Sequence, residues 1–182
     1  GVRRSDLKLG EFAVVLGGGI LGLLAQQILQ TSGIRTIVID LDKKRLELAK
    51  QLGAEHILNA SDEDIVQAVH NITGGYGADG VLFTAATGDS KPLSQAFQMC
   101  KKKGRVVLVG VSGMQLKRED MYTKELEFLI STSYGPGRYD ESYEEKGVDY
   151  PYAYVRWTEN RNMEEYLRLV HAGKIQVKPL IS

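Results

Sequence analysis

Between residues 12 and 109 short apolar runs alternate with longer stretches in which apolar residues recur at helical spacing. This is the rhythm of strand–helix–strand units and a parallel sheet. The runs at 12–16, 36–40 and 105–109 are dominated by apolar and β-branched residues, as strands buried on both faces are. Weaker runs at 56–58, 80–84 and 126–132 bring the predicted strands to six. Helices are predicted over 20–31, 43–52, 62–72 and 92–101. With right-handed crossovers these elements make an α/β fold, a doubly wound parallel six-stranded sheet.

Local signals set some boundaries. Ser61 with Asp64 has the form of a capping box at the start of a helix, and Pro92 suits a first helical turn, where no N–H donor is needed. After residue 132 the rhythm breaks. The stretch 133–158 is rich in Tyr, Gly and charge without a clear period, and a helix resumes over 163–171. The reading is of one domain over 1–182 with an irregular insertion at 133–158, a loop long enough to suggest function or ordering by a partner.

The first strand runs into Gly17, Gly18, Gly19, Ile20, Leu21 and Gly22, a GxGxxG placed between a strand and a helix. Gly17 permits the tight turn, Gly19 lets the backbone approach a pyrophosphate, and Gly22 lets the helix lie close to the sheet. First-turn amides at the positive end of the helix dipole then hold the phosphates without a basic side chain. Asp40 ends the second strand, about twenty residues on, where a carboxylate accepts the hydroxyls of an adenosine ribose and disfavours a 2′-phosphate. Arg45 nearby could hold such a phosphate or flank the adenine, so the balance favours NAD, with NADP the weaker alternative. The expected fold is therefore a Rossmann domain. A methyltransferase fold shares strand, glycine loop and acid, but would carry an antiparallel last strand that nothing here signals.

Charge and composition narrow the partners. The chain has 23 basic and 23 acidic residues, so no overall electrostatic footprint for nucleic acid or an anionic membrane. No apolar run is long enough to span a bilayer and the first ten residues have no signal-like core, so a cytoplasmic setting is expected. Cys100 is the sole cysteine, and His56, His70 and His171 are scattered. No metal site is expected, and neither Cys100 nor His171, both placed near helix ends, supports nucleophilic or redox chemistry.

Residues 14–40, continuing through DLDKKRLELAKQLGAEHILNA, with GADGVLFTAAT and GRVVLVGVSG in order, resemble the cofactor domain of medium-chain, zinc-type alcohol dehydrogenases. The segment SYGPGRYDESYEEKGVDYPYAYVRWTENRNM looks like the bi-domain oxidoreductases, in which such a dehydrogenase is fused to a glucose-fructose-oxidoreductase-like domain. The resemblance implies that Gly17, Gly19, Ile20, Leu21 and Gly22 take the pyrophosphate, Asp40 the ribose and Arg45 the adenine side. Ala85, Ala86, Thr87, Val109, Gly110 and Val111 would line the nicotinamide end. It also implies a catalytic zinc domain outside this chain, so that the chain is a fragment of a larger oxidoreductase, inactive alone. A homodimer joined through the edge strand near 126–132 is a further implication.

Two other activities stay open: a zinc-free NADPH-dependent reductase of the quinone-oxidoreductase type, against which Asp40 argues, and a non-catalytic NAD(H) sensor. The rings of the insertion, with Arg138, Arg156 and Arg161, suit either a sugar-binding surface or the stapling of a long excursion onto the domain. Tyr139 and Asp140 invite a catalytic role, but none is assigned.

Overall fold

The computed structural model describes residues 1–181. A short helix α1 (Val2–Ser5) precedes an alternation of β1 (Phe12–Leu16), α2 (Ile20–Thr31), β2 (Arg35–Asp40), α3 (Lys43–Gln51), β3 (His56–Asn59), α4 (Ile65–Ile72), β4 (Ala78–Phe83), α5 (Lys91–Met99), β5 (Cys100–Leu108), α6 (Arg118–Tyr122) and β6 (Glu127–Ile130). The insertion follows, with a one-turn helix α7 (Glu141–Glu144) inside it, and α8 (Glu159–His171) closes the fold.

The sheet has six strands in the order β3-β2-β1-β4-β5-β6, and every pair is parallel. The antiparallel last strand of the methyltransferase alternative is therefore ruled out. The order reverses between β1 and β4, which opens a crevice at their carboxyl ends.

Strand alternation divides the core. Val14 and Leu16 point with Ile37, Ile39, Val81 and Phe83 toward α4 and α5, where Ile65, Val69, Leu93 and Phe97 meet them. Ala13 and Val15 point with Val38 and Leu82 toward α2 and α3, packing on Leu23, Leu29, Leu46 and Ala49. Burial on both faces explains why the central strands read as continuous apolar runs. Phe97 meets Phe128 edge to face, at 5.2 Å and 85°, which ties β6 to the core.

Several boundaries differ from the sequence expectation, each for a local reason. Helix α4 starts at Ile65 rather than residue 62, because the Asp64 side chain accepts from the amides of Val66 and Gln67 and is itself the cap. Ser61 plays no part in it; its amide donates to Asn59 Oδ1. Helix α5 ends at Met99 because the Lys124 ammonium donates to the carbonyls of Phe97, Gln98 and Cys100 and so closes its last turn. Cys100 thus opens β5 instead of ending a helix, and β5 bulges over 101–104 before pairing resumes at Arg105. Helix α8 begins at Glu159, four residues before the expected 163. Pro92 does sit in the first turn of α5. No helix among the described residues is long and apolar enough to cross a membrane.

Burial pushes the Cys100 thiol up to about 12, with Lys124 pulling weakly the other way. Between pH 9 and about 12 the folded chain keeps a proton that the unfolded chain releases, so this group makes stability fall as pH rises through that window. The native thiol should react with a disulfide reagent at pH 8 far more slowly than the urea-unfolded thiol. Equal rates would place Cys100 outside the core.

Candidate functional site

The carboxyl ends of β1, β4 and β5 converge on a surface made almost entirely of backbone. Gly17 has φ +111°, and its amide donates to Ile39 O at 2.8 Å, folding the chain sharply off β1. Its carbonyl accepts from Thr84 Oγ1 at 2.7 Å. The same carbonyl lies where a Cβ on Gly22 would have to go, so only glycine lets the first turn of α2 sit this close. Gly110 makes the corresponding approach to the Ala85 carbonyl.

Gly19 behaves differently. It is the N-cap of α2, in extended conformation, and a Cβ built there meets nothing within 4 Å. No side chain caps α2, whereas Asp42 caps α3 and Asp64 caps α4. Ile20 and Leu21, in the first turn, are exposed. The positive end of a twelve-residue helix therefore faces open space, its amides without side-chain acceptors.

Asp40 lies beside this opening. Its Oδ2 accepts from Gly18 N at 2.6 Å and its Oδ1 from Asp42 N at 2.8 Å. Arg45 Nη1 stands 3.7 Å from Oδ2, while its Nε is 3.9 Å from Asp42. The carboxylate is thus tied to the glycine loop and oriented by two amides, with lone pairs left over for a diol.

The second group of expected site residues also assembles. Val111 N donates to Ala85 O at 3.0 Å and Thr87 N to Val111 O at 2.9 Å, forming a parallel bridge between Ala86 and Val111 beyond the strand ends. Gly110 N donates to Phe83 O. Val111 is 66% exposed, while Val109 lines a cleft with Thr84. The structure brings Gly17, Gly19, Gly22 and Asp40 to one side of the crevice, and Ala85, Thr87, Val109 and Val111 to the carboxyl ends of β4 and β5.

Thr84 is the site residue that sequence reasoning passed over. It reads as an ordinary strand end, and only its position opposite Gly17, across two parallel strands, gives its hydroxyl a role. The insertion is likewise more ordered than its lack of period suggests. Tyr143 and Tyr150 stack at 5.6 Å, Tyr150 donates to Asp140, and Arg161 donates to the carbonyls of Tyr150 and Val155. Tyr139 and Ser133 hold left-handed backbone, at φ +66° and +42°.

A metal centre does not fit this donor set. Cys100 is buried, His70 is bonded to Gly75 O and Gln98 O, His56 lies on β3 at the far edge of the sheet, and His171 ends α8. Among the described residues no three potential ligands gather.

Comparison with known proteins bears on this geometry. The family described as zinc-binding dehydrogenase matches residues 21–150. An NAD-dependent alcohol dehydrogenase from Sulfurisphaera tokodaii is 39% identical over 118 residues, covering 64% of this chain and 33% of its own length. A 2-dehydro-3-deoxy-L-galactonate 5-dehydrogenase from Pseudoalteromonas atlantica is 30% identical over 183 residues, covering 100% of this chain and 46% of its own. The structure of benzyl alcohol dehydrogenase from Acinetobacter calcoaceticus superposes with a TM-score of 0.79 at 24% identity, over 100% of this chain and 45% of that one, and shows a shared fold. The chain therefore spans less than half the length of each of these relatives.

Opposite outcomes are expected at two glycines of the loop. Gly22→Ala should lower unfolding stability by about 3 kcal/mol, since the added methyl meets a fixed carbonyl. Gly19→Ala, pointing into open space, should leave urea and thermal midpoints nearly unchanged. A stable Gly22→Ala chain would show that the helix–loop contact is looser than described.

Proposed function

The chain belongs to the zinc-binding dehydrogenase family, and on that premise we propose that it is the NAD(H)-holding unit of an oxidoreductase that moves hydride between nicotinamide and an alcohol or carbonyl carbon. The observation that carries this reading is the uncapped first turn of α2 opening over Gly19, with the Asp40 carboxylate fixed beside it. A pyrophosphate suits those unpaired amides, and a Cβ at Gly19 would fill the space it needs.

Gly17, Gly19, Ile20, Leu21 and Gly22 hold the pyrophosphate in this reading, and Asp40 takes the ribose hydroxyls with its remaining lone pairs. Arg45 flanks the adenine side. Ala85, Ala86, Thr87, Val109, Gly110 and Val111 form the wall at the nicotinamide end. Bound NAD(H) supplies the hydride chemistry, and the chain supplies its position. NAD is favoured over NADP because the Asp40 carboxylate would oppose a 2′-phosphate, and Arg45 already faces that carboxylate. The name of the Sulfurisphaera relative supports the same preference.

The zinc implied by the family finds no fitting donors among the described residues. The share of each relative that the chain spans supports reading 1–182 as one cofactor domain of a longer protein, inactive alone, whose catalytic residues lie in the remainder. The segment 133–163 supports placing that protein among the bi-domain oxidoreductases, and the Pseudoalteromonas relative's name supports a sugar or polyol substrate. Among the described residues, strand β6 pairs only with β5 and leaves its other edge open, with Ile130 49% exposed. Such an edge supports a homodimer with the two sheets joined there.

Calorimetric titration with NADH and NADPH tests the cofactor. NADH should bind more tightly, Asp40→Ala should weaken NADH about tenfold and narrow the gap to NADPH, and Gly19→Val should abolish binding in a folded chain. Unchanged affinity in both variants would place the cofactor elsewhere. Sedimentation equilibrium should report a dimer, and a monomer at high micromolar concentration would remove the edge-pairing assignment.

A further inference from the structure

This chain is neutral overall, yet half of its ten arginines gather in one place. A cleft of about 1110 Å³ lies between the outer face of α2, the residues after β6, the insertion and α8. Five arginines line it, Arg3, Arg4, Arg138, Arg156 and Arg168, against one carboxylate, Glu165. Glu165 is already held by Arg168, at 2.6 and 2.8 Å, and Arg138 is paired with Glu144. Among the described residues, no carboxylate stands within ion-pair distance of Arg3, Arg4 or Arg156.

Two of these unpaired cations share one indole. The guanidinium carbons of Arg3 and Arg156 lie 3.3 and 3.8 Å from the Trp157 ring centroid. Arg3 is also oriented from the side: its Nε donates to Asn162 Oδ1 at 2.7 Å, and Asn162 donates in turn to Tyr134 O at 3.0 Å. Burial, above all, lowers the Arg3 pKa; Glu165 opposes that fall and the Arg156 charge adds to it. Two like charges therefore repel across one ring, and Arg3, partly stripped of solvent, is held there by contacts on several elements. An arriving anion would relieve that repulsion, and oriented guanidinium forks match the oxygens of a phosphate or carboxylate.

The remaining lining limits what the anion belongs to. At about 1110 Å³ the cleft lies just above the range of small-molecule sites, and a neutral chain lacks the broad field that a polymeric polyanion needs. Tyr134 and Tyr154 also line the cleft, and Tyr154 is 88% exposed. Their ring faces suit the C–H face of a pyranose. We propose that this cleft binds an anionic sugar, its phosphate or carboxylate on the guanidinium edges that Arg3 and Arg156 present to the cleft beside the indole, and its ring against the tyrosines. Thr84 and Val109, at the ends of β4 and β5, form part of the same lining. Identifying the sugar as the substrate rests on the dehydrogenase reading above; the binding itself does not.

The test is titration of the 182-residue chain with glucose 6-phosphate, glucuronate, glucose and inorganic phosphate, each with and without NADH. At least one anionic sugar should bind tenfold or more tightly than both glucose and inorganic phosphate. A preference for glucose 6-phosphate or for glucuronate assigns the anion as phosphate or carboxylate. Arg156→Gln should weaken that binding at least tenfold with the NADH affinity unchanged. Tyr154→Ala, at an exposed ring with no part in the core, should shrink the preference over inorganic phosphate. Anionic sugars binding no better than glucose would overturn the proposal, and inorganic phosphate binding equally well would overturn the sugar assignment. These outcomes are read on the wild-type chain, so misfolding of a variant decides nothing. Loss of NADH binding alone would count against the cofactor reading and leave the cleft standing.

Discussion

The Gly17 carbonyl is the point on which the crevice turns. It takes the Thr84 hydroxyl on one side and the bare Cα of Gly22 on the other, so β1, β4 and the start of α2 meet within one peptide's reach. Any side chain at Gly22 would drive the helix away from the sheet. The amides of its first turn would then no longer open above the strand ends, and Asp40, anchored through Gly18 N, would lose its fixed distance from them. The approach of Gly110 to the Ala85 carbonyl repeats the arrangement one strand over. The surface at the crevice is thus shaped by where side chains are missing.

How much of this was legible beforehand depends on how local the determining contacts are. Strand β1, helix α2 and the glycine loop were readable because the apolar run, the GxGxxG and Asp40 all lie within about 30 residues, and each carries its reason in its own chemistry. The start of α4 was harder to place, since Ser61 and Asp64 are both good caps and only the hydrogen bonds of the Asp64 carboxylate to Val66 N and Gln67 N decide between them. The end of α5 could not be placed at all from its own residues, because its last carbonyls are closed by Lys124, more than twenty residues away. The expected nicotinamide-end residues were legible as strand ends, whereas Thr84 needed the register of β1 against β4.

The insertion marks the limit of that kind of reading. Its rings and arginines suit either a sugar-binding surface or the stapling of a long excursion onto the domain, and the structure divides them between an internal frame and a cleft. Tyr143, Tyr150, Asp140 and Arg161 form an internal frame, which accounts for two of the rings and one of the arginines as structure. Tyr134, Tyr154, Arg156 and Trp157 face the cleft instead. What recruits Arg3 to Trp157 is a contact across most of the chain, for which no sequence pattern gives notice.

The all-parallel sheet has a kinetic corollary. No strand pair here can close from a tight turn; each waits for a crossover to be laid down, and β1 waits for β4, more than 60 residues later, before it is flanked on both sides. High contact order of this kind slows folding and prolongs the life of unpaired edges. In hydrogen exchange, amides of β1 and β4 should be the last to exchange, and those of β6, bonded on one side only, should open first, well below the global unfolding energy. The most rigid part of the molecule is then the part carrying the glycine loop, and the most labile strand is β6, bonded along a single edge.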